Sequence, residues 1–142
     1  MRSVLKTLLF ACVALFTFSG CNYHILNEEI DMEVIYIDAK RSGWQVYGKE
    51  GDEGCYQFQE FYFPEISSDV MLSGAVLVYM IDESGRDNIL PLVLPYDDGR
   101  ESVIETIRYD YEEDYLTLLI EASDFMAYLP KRDIRFKVCI LN

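Results

Sequence analysis

A single histidine, His24, stands in the 142-residue sequence, and Lys and Arg number 12 against 25 Asp and Glu. The shortage of histidine bounds the chemistry. His24 precedes the body of the chain, so no Ser-His-Asp or Cys-His arrangement and no imidazole metal ligand can be assembled beyond it. The shortage of cations is sharper once the first 20 residues, which hold Arg2 and Lys6, are set aside. From Cys21 onward 10 Lys and Arg face 25 acidic residues, a net charge of −15. Binding a phosphate backbone requires clustered Lys and Arg, so nucleic acid is excluded as a partner. The motifs G-x-S-x-G, the Walker loop and G-x-G-x-x-G are absent, and Gly48, Gly51 and Gly54 lie in an acidic stretch that repels phosphate. No repeat or low-complexity run occurs.

What is present begins with the leader. Arg2 and Lys6 precede an apolar run from Leu8 to Phe18, broken only by Thr17. The run is shorter than the roughly 20 residues a membrane-spanning helix needs, so residues 1–20 read as a helical, cleaved signal peptide. The following Phe18-Ser19-Gly20-Cys21 resembles the lipobox of bacterial lipoproteins, in which a signal peptidase cuts before the cysteine and that cysteine is lipidated. The sequence departs from the lipobox at Phe18, where Leu is preferred. The resemblance makes Cys21 the lipidated residue; ordinary secretory cleavage near Gly20, which leaves Cys21 a free thiol, is the alternative. Acyl chains contribute about 0.8 kcal/mol per buried methylene, enough to hold an acidic protein on an anionic membrane that repels it. Residues 21–31, which include His24, read as a tether.

From Met32 on, short runs rich in Val, Ile, Tyr and Phe alternate with Gly, Asp, Asn and Pro clusters, the pattern of antiparallel strands. About eight are predicted: Met32–Ile37, Trp44–Tyr47, Cys55–Phe63, Ala75–Ile81, Ile89–Leu94, Val103–Tyr111, Tyr115–Ala122 and Ile134–Leu141. Hairpin turns are expected at Asp82–Asn88 and Tyr111–Tyr115. Period-two alternation puts Ile134, Phe136, Val138 and Ile140 on one core face and Leu116, Leu118, Ile120 and Ala122 on another. Ala75–Ile81 is apolar on both faces and predicts a central strand buried on both sides. Short helical turns are expected at Ser67–Ser73 and Ser123–Leu129. The fold class is all-β: a single antiparallel β-sandwich, immunoglobulin-like or jelly-roll-like, over residues 32–142.

The body offers few candidates for chemistry. Glu60 shares a strand face with Tyr56, Phe58 and Tyr62 and is either a desolvated carboxylate or a solvated one at a strand end. The carboxylates Asp82, Glu83 and Asp87, or Asp97 and Asp98, are oxygen ligands of the kind calcium takes, but they lack the full EF-hand alternation and read equally as solvated turns. Cys55 and Cys139 form an even extracytoplasmic pair that invites a disulfide; alternation places both on the less apolar faces of their strands, so they meet only if those strands are neighbours. Trp44 precedes both cysteines, unlike the immunoglobulin order. Trp44, Tyr47, Tyr62, Tyr96, Tyr111, Tyr115 and Tyr128 lie near expected loops or strand ends, where rings stack on sugars or partners, and equally serve as sheet filler. Trp44 and Tyr96 are the leading ligand-binding candidates.

The runs Tyr62-Phe63-Pro64-Glu65-Ile66, Gly74-Ala75-Val76-Leu77-Val78-Tyr79-Met80, Leu94-Pro95-Tyr96 and Ile107-Arg108-Tyr109-Asp110-Tyr111, with Phe125 and Arg135-Phe136-Lys137-Val138, resemble a family of small uncharacterised bacterial lipoproteins. The resemblance spans most of Trp44–Leu141. It implies a lipobox leader and one compact β domain, and it carries no functional residue onto this chain besides Cys21. Some members have a collagen-like Gly-rich segment after the cysteine, absent here. The expected protein is a non-catalytic binding or structural module without cofactor or metal, lipid-anchored in the bacterial cell envelope at the outer membrane. It meets an envelope protein partner or, in the alternative reading, a glycan.

Overall fold

The computed structural model describes residues 31–96 and 103–142, without the side chain of Tyr96. The expected signal peptide 1–20, Cys21, His24, the expected tether as far as residue 30, and Asp97 and Asp98 lie outside the described residues. The chain forms the antiparallel all-β sandwich that its alternation predicts, with nine strands among the described residues. These are β1 (Met32–Ala39), β2 (Gln45–Tyr47), β3 (Tyr56–Tyr62), β4 (Ala75–Ile81), β5 (Asp87–Ile89), β6 (Leu92–Tyr96), β7 (Val103–Glu112), β8 (Tyr115–Ala122) and β9 (Ile134–Leu141). A four-stranded sheet runs β1-β9-β4-β5, and a five-stranded sheet runs β2-β3-β8-β7-β6. The predicted strand Ile89–Leu94 is two strands, because Pro91 supplies no N–H for a ladder and the chain crosses there from one sheet to the other.

Both predicted hairpins form. Between β4 and β5 the carboxylate of Asp82 accepts from the backbone N–H of Ser84 and of Arg86, each at 2.9 Å, and Gly85 supplies the left-handed backbone (φ 80°) that closes the turn. Between β7 and β8 the tip is clasped from outside: Phe63 N–H donates to Asp114 C=O at 2.7 Å, and Asp114 N–H donates to Ile66 C=O at 2.9 Å. A helix α1 (Ser68–Ser73) follows, its first turn capped by the Ser67 hydroxyl. The second predicted helical turn, Ser123–Leu129, does not form. Phe125 instead takes a left-handed conformation (φ 60°), its N–H donating to Ala122 C=O and its C=O accepting from Gly51 N–H, which ties the segment to the β2–β3 loop.

The core sits between the sheets. Phe136, Val138 and Ile140 of β9 and Val76 and Val78 of β4 face Leu116, Leu118 and Ile120 of β8 and Ile107 of β7. In β3 the less apolar face is the buried one. In β3 the Gln57, Gln59 and Phe61 face turns inward, paired in register with Ile120, Leu118 and Leu116, whose own core face leaves no choice. Gln57 is fully buried and its amide donates to the Tyr128 carbonyl at 2.6 Å, so it staples the crossover from β8 to β9 onto the five-stranded sheet. Its Oε1, the Oε1 of Gln59 and the indole N–H of Trp44 are buried without a partner among the described residues. Gln59→Met, which keeps the length and removes an unsatisfied acceptor, is expected to raise stability by about 1 kcal/mol. A urea titration in which the midpoint fell would show that Gln59 carries a bond that repays its burial.

Strand β4 is central at one end only. Beside β5 it is paired on both sides, but at Val76 and Val78 it lies at an edge that the rest of the chain covers. Leu90 N–H donates to Val78 C=O at 2.9 Å, and the Tyr109 hydroxyl crosses the core from the other sheet to Val76 C=O at 2.7 Å. Burial pushes the Tyr109 phenol up, and Tyr111 and Tyr79 add to this. Losing that bond in Tyr109→Phe leaves a strand carbonyl unpaired and is expected to cost about 1 kcal/mol. Equal thermal midpoints for the two proteins would show that this hydroxyl adds nothing. Burial of Ala75–Ile81 on both faces, as predicted from sequence, is half right. Val76 and Val78 are buried, whereas Ala75, Leu77, Tyr79 and Ile81 lie half-buried on an outer face that no described layer covers.

Candidate functional site

At one end of the sandwich the sheets part into a cleft of about 1040 Å³, a size suited to a small ligand. Its floor is apolar and comes from both sheets: Met80 and Ile134 from one, Leu94, Ile107 and Ile120 from the other. Its mouth is framed by the Asp82–Arg86 turn and by residues 130–135. The rim is rich in charge, but the charges are matched. Arg86 pairs with Asp82 at 2.9 Å, Arg132 with Glu83 at 2.6 Å, Arg135 with Asp38 at 2.8 Å and Lys40 with Asp133 at 2.9 Å. The Arg135 guanidinium holds the Asp38 carboxyl below its ordinary value, and the Arg41 amide and Lys40 do the same for Asp133. Asp82 lies well below the carboxylate range, chiefly through the Ser84 hydroxyl. Stability drawn from these depressed acids is present above pH about 4 and is lost as pH falls through their folded values, so acid loosens the rim first.

Glu105 is the exception. It belongs to β7 and faces inward, opposite Ala122 on one side and Leu94 on the other, half-buried in the cleft. It has no hydrogen-bond or ion-pair partner among the described residues. Burial pushes its carboxyl up, the charge of Lys131 opposes that, and Asp124 adds slightly to it. A raised acid favours folding below its unfolded pKa of about 4 and loses that contribution as pH rises through the folded value. Glu105→Gln is therefore expected to be the more stable protein at pH 7 to 8. The gain is under about 1 kcal/mol, because half the group stays in water, and it shrinks toward pH 4. A variant less stable than the parent across that whole range would mean that the carboxylate is held by a bond.

Glu105 was legible as an anomaly in the sequence. It shares strand parity with Ile107, Tyr109 and Tyr111, so a carboxylate stands where the pattern calls for a core residue. Glu60, which the sequence singles out instead, is exposed on the outer face, opposite Thr117. The carboxylates of the Asp82–Asp87 turn are committed within the protein: Asp82 to Ser84 and Arg86, Glu83 to Arg132, Asp87 to Lys137. Among the described residues no cluster of three acidic, Cys or His groups is placed to hold a metal ion.

Two further expectations are corrected. Trp44 is not an exposed platform. It is 6% exposed and packs in the core, because the 3-10 turn Arg41–Gly43 that ends β1 swings it inward before β2 begins. Cys55 and Cys139 are free, buried thiols, Cys55 just before β3 of the five-stranded sheet and Cys139 in β9 of the other. Cys139 lies on the outer face of the four-stranded sheet, between Val34 and Leu77 in register, so its sulfur points away from the sheet that follows Cys55. Burial pushes the Cys55 thiol up, with Glu50 and Asp52 adding to it. Of Tyr96, the backbone pairs with Val103 at the end of β6.

The aromatic surface that does exist lies elsewhere. On the outer face of the five-stranded sheet Tyr47 stacks on Tyr56 at 4.9 Å, Phe58 continues the row, and Tyr62 meets Tyr115 edge-on at 5.7 Å. On the outer face of the other sheet Met32, Val34, Tyr36 and Ile89 are exposed around Leu77, Cys139 and Leu141. Lys137 sits over the Tyr79 ring, 4.4 Å from its centroid, and pairs with Asp87 at one margin. No protein-family model, curated protein or solved structure matches this chain, so its surfaces speak only through their own chemistry.

Proposed function

We propose that this chain is a lipid-anchored protein of the bacterial cell envelope, held by Cys21 to the outer membrane, and that it acts as a non-catalytic module docking an envelope protein at strand β1. The observation that carries the reading is the β1 edge. Asn142 N–H donates to Asp31 C=O at 3.0 Å, which fixes the hydrogen-bonding phase with β9. In that phase Met32, Val34, Tyr36 and Asp38 turn their own N–H and C=O away from β9, to a side where no described strand pairs. Eight residues without proline or bulge are a template for an added strand, and the exposed Met32, Val34 and Tyr36 side chains give an incoming segment an apolar face to register on.

Intact mass of the membrane-extracted protein tests the anchor: residues 21–142 plus acyl chains supports it, and an unmodified chain with its leader retained overturns it. A photo-crosslinker at Tyr36 tests the docking edge. Adducts are expected from membranes, and their loss in Val34→Pro, which removes one edge-facing N–H, is the decisive control. Adducts indifferent to that substitution would move the partner off the edge.

The row Tyr47, Tyr56, Phe58, Tyr62 and Tyr115 favours a second reading, capture of a glycan by stacking. A glycan array with Tyr47→Ala and Tyr62→Ala as controls decides it, and no sugar retained by the parent protein ends that reading.

A further inference from the structure

We propose that the cleft at the open end of the sandwich binds a small organic amine, its ammonium group on Glu105 and its apolar body on the Met80, Leu94, Ile107 and Ile120 floor. This goes beyond the docking edge and the lipid anchor and does not rest on either. Four features of the cleft converge on that ligand class. It lies between two sheets and has a floor of hydrocarbon from both, so it offers an apolar body a surface to bury. The guanidinium groups of Arg86, Arg132 and Arg135 at its mouth are each paired with a carboxylate, which leaves them poorly placed to recruit an anion. Glu105 is half-buried and feels the charge of Lys131, but it has no hydrogen-bond donor among the described residues, and a carboxylate so placed gains most from a ligand that brings its own N–H groups into contact. The surrounding protein carries net −15 from Cys21 onward, which concentrates cations near its surface and repels anions.

The test is calorimetric titration of the full chain, purified as expressed, with the matching protein-free buffer as the blank. Three probes of one shape are used: benzylamine, benzyl alcohol and benzoate. Benzylamine is expected to bind one to one, at least tenfold more tightly than benzyl alcohol, with no binding of benzoate. Glu105→Gln is expected to weaken benzylamine at least tenfold and leave benzyl alcohol unchanged. Leu94→Ala, which removes part of the apolar floor and leaves the charge unchanged, is expected to weaken both. Because Glu105→Gln relieves a half-buried charge, its fold is secure and its circular dichroism melt verifies this. Equal affinity for amine and alcohol overturns the proposal, as does benzylamine binding that survives Glu105→Gln or fails to saturate below 10 mM.

Discussion

Phe136→Ala is expected to lower the unfolding free energy by about 4 kcal/mol, near the top of the range for emptying an aromatic site in a closed core. Phe136 is fully buried in the middle of β9, and β9 is the central strand that holds β1 on one side and β4 on the other. Its ring is paired in register with Ile37 and Met80 and faces the apolar set of the opposite sheet. Both neighbours are held in register by the ladders of β9 with β1 and with β4, so they have little room to collapse into the space the ring leaves. Urea denaturation followed by tryptophan fluorescence is well suited to the measurement, since Trp44, the only tryptophan, belongs to the same core. A loss below about 1.5 kcal/mol would mean that the sheets slide together to fill the gap, and that the core is looser than its burial implies.

Gly74→Ala is expected to cost about 3 kcal/mol, the upper part of the usual range for overpacking. Gly74 ends α1 and leads into β4, with φ −90° and ψ −166°, a backbone that alanine adopts without strain. The cost is therefore spatial. A Cβ there would overlap the Leu141 carbonyl oxygen and lie 2.9 Å from Val70 Cα and 3.1 Å from Val70 O. Every one of these is backbone. Leu141 is pinned between Met32 and Ala75 in the sheet, and Val70 C=O accepts the Gly74 N–H at 3.0 Å, so neither side yields cheaply. Gly51 provides the contrast: nothing lies within 4 Å of its would-be Cβ, but its φ is 84°. Gly51→Ala should cost only about 1 kcal/mol, through left-handed strain alone. Similar losses at the two positions would remove the close approach of α1 to β9 from the explanation of this fold.

The sheets were legible in the chain because each core strand repeats its apolar residues at period two. Leu116, Leu118, Ile120 and Ala122 could face only one way, and the same holds for Phe136, Val138 and Ile140. The hairpins were legible too, since Asp82, Gly85 and Asp114 carry turn chemistry in their own side chains or backbones. The candidate site was not read from the sequence; its one signal there is Glu105, whose parity contradicts its charge.

What the sequence by itself determined is therefore local: strand positions, face parity, turn types, the absence of histidine chemistry beyond His24 and the acidic balance of the body. Tertiary structure decided whatever depends on which strands become neighbours. Strand order put Cys139 on an outer face, beyond reach of Cys55. Pairing of β3 with β8 sent two glutamines into the core and left Tyr56, Phe58 and Tyr62 outside, because β8 had no second apolar face to exchange. A turn of three residues folded Trp44 inward. The parting of the sheets around Glu105 is a property of neither strand alone, since a cleft exists only where two surfaces fail to meet.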